Sequence, residues 1–231
     1  MNIDLHGFGP AMMAGTLMTV KLALCALLLG LVLGLLGALA KTSSIKPLQW
    51  LGGFYSTLVR GVPELLWVLL IYFGTVGLMN ALGEALNLPG LELSAFAAGV
   101  IALGLCFGAY ATEVFRGALL AVPKGHREAG QALGLSAPRI FWRIVLPQVW
   151  RVALPGLGNL YLILLKDTAL VSLISLDEIM RKAGIASNAT KEPFTFYLAA
   201  ALIYLGLTVF VMSALHALER RAGRGFVRNE L

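Results

Sequence analysis

Charge is scarce in this sequence. Only 13% of its residues are Asp, Glu, Lys or Arg, against about 25% in an average soluble domain. Hydrophobic residues fill 58% of the 231 positions, and the mean hydropathy is +0.83. A water-soluble chain of this size has too little interior to hide that much apolar surface. The composition therefore excludes a soluble globular enzyme and a disordered chain. Cysteine is scarcer still. Cys25 and Cys106 are the only two, both within apolar runs and without CxxC spacing. That excludes a disulfide scaffold and leaves two small buried hydrophobes. His6, His126 and His216 are scattered, so neither metal spacing nor a catalytic triad arises.

What is present is a set of long apolar runs. About 20 apolar residues are needed to cross a bilayer as a helix. Five stretches qualify, at about 14–40, 53–83, 93–117, 152–176 and 193–218. Asp4 stands where a signal peptide carries positive charge, and no small-residue cleavage site follows, so the first span is expected to be retained. Thirteen Lys and Arg fall in 41–60, 113–151 and 219–231, but only Arg181, Lys182 and Lys191 in the opposite loops. This asymmetry orients the chain with its N-terminus outside and its C-terminus cytoplasmic. The basic loops thus follow membrane orientation and imply no nucleic acid. Five spans without a duplicated half argue against an inverted-repeat transporter. Gly30, Gly34 and Gly37 place small residues on one face of the first span, a candidate helix-packing face.

The longest inside loop, about 118–147, is patterned. Pro123 can open a helix, Gly134 can end it, and Ser136 with Pro138 can open the next. Ala132, Leu133 and Leu135 would form the apolar edge of this short helix. Such a helix fits a partner's groove. A membrane-surface helix without a partner fits the residues equally well.

Here a resemblance enters. Glu128-Ala129-Gly130, three residues, Gly134, nine residues, Ile144, one residue, Leu146-Pro147 resembles the permease signature of bacterial ABC importers, E-A-A-x3-G-x9-I-x-L-P. Gly130 replaces the usual second Ala. Arg60-Gly61-Val62-Pro63-Glu64, Gly108-Ala109-Tyr110 and Leu165-Lys166-Asp167-Thr168 look like the polar amino-acid uptake subfamily. Roughly residues 10–222 share the likeness, which is strongest to permease subunits of arginine and histidine/lysine/arginine/ornithine importers. The resemblance implies an all-α membrane protein, with five transmembrane helices and a cytoplasmic coupling helix, in a bacterial inner membrane.

It also implies partners. A homodimer or a heterodimer with a related permease forms the path, two cytoplasmic ATP-binding subunits dock on the coupling helices, and a periplasmic or lipid-anchored binding protein delivers the amino acid. No G-x-x-x-x-G-K-[ST] phosphate loop occurs in the chain. The implied ATP and Mg therefore sit on the partner ATPases, and this subunit is non-catalytic, with no cofactor or metal of its own. Arg127, Glu128, Ala129, Gly130, Gly134 and Leu135 are the implied coupling residues, with Glu128 capping or pairing with a basic group.

An ionisable group inside a span costs several kcal/mol unless paired or hydrated. Glu64 follows Pro63 at or near the start of the second span. Related permeases for basic amino acids look similar here, which makes Glu64 the candidate reader of a substrate guanidinium or ammonium. Its alternative is an ion pair with Arg60, four residues earlier. Lys166 and Asp167 interrupt the fourth span and either line the path or pair with each other or a neighbour. Thr168 and Ser172, four apart, would share a face and, with Asn159 and Tyr161, bind the substrate's α-carboxylate and α-amine. Pro155, Gly156 and Gly158 predict a bend there. Glu113 and Arg116 read as a gate or as a solvated pair. Rival functions are a permease for neutral or acidic amino acids or opines, and an ion-coupled transporter relaying through Lys166 and Asp167.

Overall fold

The computed structural model describes residues 5–86 and 93–223, with the backbone alone for 79–86. All the described secondary structure is helical. Helix α1 is Gly9–Lys41, α2 Lys46–Arg60, α3 Glu64–Leu86 and α4 Ala95–Ala121. Helix α5 (Lys124–Ala132) and the single turn α6 (Ala137–Ile140) follow. A π-helical turn, Phe141–Val145, joins α6 to α7 (Leu146–Asp167). A 3-10 segment, Thr168–Ile174, leads to α8 (Ile179–Thr190) and then α9 (Pro193–Ala222).

Four described helical rods are long and apolar enough to cross a membrane: Gly9–Lys41, Ala95–Ala121, Ala137–Ile174 and Pro193–Ala222. The fifth crossing is a pair. The expected second span, 53–83, is not one rod, because α2 and the first part of α3 meet at 103°. Proline explains the break. Pro63 has no N–H and disfavours helical backbone at Val62. Gly61 closes α2 by donating to the Thr57 and Leu58 carbonyls.

The fourth rod starts earlier than expected. Residues 137–151 continue into it, so the end of the 118–147 loop is already part of the rod. Pro147 needs no donor in the first turn of α7. The preceding π turn, with Leu146 N–H donating to Phe141 O, keeps the helix continuous. Nor does the expected bend at Pro155 divide the rod. Gly156 and Gly158 instead admit Val114 and Leu215, which lie 2.9 and 3.0 Å from where their Cβ atoms would stand.

The core is a seam between α1 and α4. The two helices run parallel, since Gly30, Gly34 and Gly37 meet Phe107, Ala111 and Thr112 in order. A Cβ on Gly34 would stand 2.6 Å from the Ala111 Cβ, and one on Gly108 would stand 2.8 Å from the Leu33 Cβ. Lipid tails are as apolar as leucine, so helices associate here through close packing. The glycine face foreseen on the first span therefore serves this chain's own interior. Outward, Leu17, Leu28, Val32 and Leu36 are exposed, as a lipid-facing surface requires. Cys25 is exposed too, against expectation, and only Cys106 is buried.

Candidate functional site

Two helices present one stripe each to a common cavity. On α4 the stripe is Leu103, Cys106, Phe107 and Tyr110; on α7 it is Leu160, Ile163, Leu164 and Asp167. Both follow the i, i+3, i+4, i+7 spacing that puts residues on one helix face. Glu64, the first residue of α3, completes the lining because the Pro63 break turns α3 toward α4. The cavity measures ~190 Å³.

Its walls are apolar except for the two carboxylates, the Tyr110 hydroxyl and the Cys106 thiol. The Tyr110 hydroxyl donates to Glu64 Oε1 at 3.0 Å. Among the described residues, no Lys or Arg lines the cavity. Two carboxylates facing a low-dielectric space attract a cation more strongly than they would in water. The site is thus built for a positively charged group.

Arg60 does not pair with Glu64. Its guanidinium lies 5.4 Å from the Tyr110 ring centre, and its Nη1 is 3.9 Å from Glu113 Oε1. The bend at residues 61–63 removes the helical i, i+4 relation that would have joined Arg60 to Glu64. Glu113 is a hub. Lys41 bonds to its Oε1 and Arg116 Nε to its Oε2 at 2.9 Å, so one carboxylate ties α1, α2 and α4. The sequence placed Glu113 with Arg116 but gave no hint of Lys41.

The other expected substrate residues disperse. Lys166 is exposed and lies outside the cavity lining. Asn159 is also exposed and lines a separate groove beside α9, with Leu215 and His216. Tyr161 packs against the main apolar cluster. Thr168 is fully buried and donates to Leu165 O at 2.6 Å. Ser172 does not share its face. Both lie in the 3-10 segment, where three residues make a turn and positions four apart diverge by about 120°. Sequence reasoning passed over Tyr110 as a site residue, although its register with Leu103 and Phe107 marks the same face. Glu178, fully buried before α8, was missed as well.

The coupling loop has a defined shape. Gly134, with φ 71°, ends α5 in the left-handed region. Leu135 N–H donates to Gly130 O and Gly134 N–H to Gln131 O, which satisfies the last carbonyls of the helix. Gly130 is buried: a Cβ there would stand 2.9 Å from Ile140 Cγ1. It therefore seats α5 on its own chain. Leu135 also packs inward, whereas Leu133 is 80% exposed. The apolar edge expected from Ala132, Leu133 and Leu135 is thus split by the turn at Gly134. Glu128, Ala129 and Ala132 are exposed. Glu128 neither caps α5, whose N-cap is Pro123, nor forms an ion pair among the described residues. Arg127 and Gln131 line a ~410 Å³ groove with Thr42 and Leu119. His126 Nδ1 meets Gln148 Oε1 at 2.7 Å and links α5 to α7.

Known proteins share this sequence and this fold. The family described as the binding-protein-dependent transport system inner membrane component matches residues 26–224. The arginine ABC transporter permease protein ArtQ of Escherichia coli (strain K12) is 46% identical over 220 residues, covering 90% of this chain and 92% of the relative. The histidine/lysine/arginine/ornithine transport system permease protein HisQ of the same strain is 40% identical, covering 98% and 100%. The octopine transport system permease protein OccQ of Rhizobium meliloti is 44% identical, covering 98% of each chain. A solved amino acid ABC transporter with histidines superposes at a TM-score of 0.79 with 34% identity, covering 96% of this chain and 100% of that one. The methionine ABC transporter MetNI, at a TM-score of 0.74 and 14% identity, shares the fold over 94% and 98% of the chains. By sequence and by fold, this chain belongs to the binding-protein-dependent transport system inner membrane component family, as a permease subunit of an amino-acid ABC transporter.

Proposed function

We propose that this permease conducts a basic amino acid inward, and that Glu64 and Asp167 hold its side-chain cation on the way. The observation that carries this reading is the cavity with two carboxylates and, among the described residues, no Lys or Arg in its lining. One carboxylate at about 4 Å from a cation is worth about 4 kcal/mol at an effective dielectric of about 20. The relatives named for arginine and for histidine/lysine/arginine/ornithine support the same substrate class.

The energy comes from outside this chain. Two ATP-binding subunits, carrying ATP and Mg, dock on the exposed side of α5, where Glu128, Ala129 and Leu133 stand free of their own chain. The firm seat of α5 on Ile140, Ile144 and Gln148 passes their motion to α7, which carries Asp167. The N-terminus and α8 lie outside, facing a periplasmic or lipid-anchored binding protein; the basic loops and C-terminus lie in the cytoplasm. A second permease, identical or related, completes the path.

ATP-dependent uptake in proteoliposomes tests this. The vesicles hold the permease and its ATPase, with the binding protein on the outer side. Labelled arginine is competed with lysine, histidine, glutamine and octopine. Competition by cationic amino acids alone supports the reading. ATP-driven uptake of a neutral or acidic amino acid would overturn the roles of Glu64 and Asp167. Uptake indifferent to ATP would overturn the energy source.

A further inference from the structure

Asp167 is the last residue of α7, and the 3-10 segment Thr168–Ile174 begins directly after it. Ser175 then takes a left-handed φ of 69°, and Glu178 caps α8 through the N–H groups of Met180 and Arg181 at 2.9 and 2.7 Å. The 3-10 stretch ends the rod that begins at Ala137, and left-handed Ser175 then turns the chain toward α8, so the segment is the joint between the two. Its first residue, Thr168, and the N-cap of α8, Glu178, are tied to a single group. The Tyr204 hydroxyl, from α9, lies 3.3 Å from Thr168 Oγ1 and 3.2 Å from Glu178 Oε2. Thr168 and Glu178 are both fully buried.

The protons of this chain can be counted. The Thr168 hydroxyl donates to Leu165 O at 2.6 Å, which uses its only proton. The contacts Thr168–Tyr204 and Tyr204–Glu178 then share the single proton of Tyr204, because a carboxylate supplies none. With Glu178 ionised, Tyr204 gives its proton to Glu178, and the Thr168 contact keeps a donor only by drawing the Thr168 proton away from Leu165 O. With Glu178 protonated, every contact has its donor: Glu178 to Tyr204, Tyr204 to Thr168, and Thr168 to Leu165 O.

The surroundings agree. On α8, Arg181 and Lys182 both turn to Asp177, at 3.0 and 2.7 Å. From α1 the contact is Thr19, whose hydroxyl accepts from Ile179 N at 3.4 Å and donates to the Tyr204 oxygen, and Lys21 is exposed. From α9 it is Tyr204, and at the joint Thr168, with Asp167 turned into the cavity. No cation pairs with Glu178 among the described residues. Burial raises its pKa, opposed by the two backbone N–H bonds and by Tyr204.

We propose that Tyr204 is the pin of the outer gate: it holds Thr168, at the start of the 3-10 joint, to Glu178, the cap of α8, while Glu178 carries a proton, and the pin parts when the gate opens. This rests on the importer reading above. In the open state Glu178 meets water and ionises at an ordinary carboxylate pKa. Closing therefore takes up a proton. External acid favours the closed gate, and that preference is lost as pH rises through the elevated closed-state pKa of Glu178. Tyr204 and Glu178 are positioning residues, since neither lines the cavity.

The test uses the reconstituted complex with binding protein outside. ATPase activity with and without binding protein, and uptake, are measured at external pH between about 5 and 8. Tyr204→Phe keeps the ring and removes only the pin. It should raise ATPase without binding protein about 3- to 10-fold, the shift that one lost hydrogen bond allows, and shrink the stimulation by binding protein. Glu178→Gln, a permanent mimic of the protonated acid, should flatten the pH profile. Thermal stability of each variant complex separates this from a packing defect. Lower melting temperatures with wild-type stimulation and pH profile would overturn the pin and leave the importer standing. A wild-type complex without ATP-driven uptake would overturn the importer reading itself.

Discussion

The Tyr110 hydroxyl donates to Glu64 Oε1 at 3.0 Å, joining the middle of α4 to the first residue of α3. This bond fixes one carboxylate oxygen and leaves the other free for the cavity. The opposite face of the arrangement is also engaged, because the Arg60 guanidinium lies over the Tyr110 ring. A single tyrosine thus separates the Arg60 cation from the Glu64 carboxylate.

Removing the charge of Glu64 should remove most of the attraction for a cationic substrate. Glu64→Gln is expected to lower kcat/KM for arginine or lysine uptake about 10- to 100-fold, equivalent to about 1.4–2.7 kcal/mol of lost transition-state stabilisation. The complex should assemble normally. Uptake kinetics beside co-purification of the ATPase check both halves, and unchanged kinetics would remove Glu64 from the path.

Tyr110→Phe keeps the ring beneath Arg60 and deletes only the hydroxyl. Glu64 then loses a partner but keeps its charge. The expected cost is about 0.5–1.5 kcal/mol, or about 2- to 12-fold in uptake, smaller than for Glu64→Gln. If both variants were equally impaired, the hydrogen bond that positions Glu64, and not its charge alone, would govern passage.

Packing between α1 and α4 has no spare room. Gly34→Leu sets side-chain atoms where the Ala111 Cβ already stands, 2.6 Å from the new Cβ. Overpacking typically costs about 1–3 kcal/mol, and this clash is between two helix backbones that cannot separate cheaply. Gly74→Ala is the control, since nothing lies within 4 Å of its added Cβ. Thermal unfolding in detergent should fall by several degrees for the first and hold for the second.

Two neighbouring changes in α5 should fail differently. Gly130→Leu drives atoms into Ile140 and Ile144 and should destabilise the isolated permease. Glu128→Lys changes an exposed residue without a partner in this chain, so the permease should melt normally. It should nevertheless lose the ATPase on purification. Loss of stability in Glu128→Lys, with the ATPase retained, would contradict the docking role of α5.

Glu113 balances Lys41, Arg60 and Arg116. Glu113→Gln leaves these three cations without their carboxylate, which should cost about 1–3 kcal/mol. The effect should be larger than for Arg116→Gln, whose side chain is 39% exposed. Differential scanning of the two variants decides whether the hub or one peripheral pair holds α1, α2 and α4 together.

Local chemistry made several features legible in the sequence. Apolar runs set five crossings because a bilayer offers the backbone no partner but itself. Gly134 ends α5, since only a residue without a Cβ enters the left-handed region freely. Pro63 stands at the helix break because it lacks a donor. Glu64 and Asp167 announced themselves as charges in apolar surroundings, and they do meet in one cavity.

Tertiary structure decided the rest. The choice of Glu113 as partner for Arg60 follows from a 103° turn between α2 and α3, an angle that no residue type encodes. Thr168 and Ser172 parted because the helix tightened after Asp167, which changed the angular step between them. Asn159 and Lys166 faced away from the cavity because only one register of α7 packs on α4. Tyr204 and Glu178 lie 26 residues apart, and only the fold of α8 against α9 brings them together. Sequence determines which groups are costly to bury, since that cost belongs to each residue. Which group relieves another depends on distances across helices, and those exist only once the helices have packed.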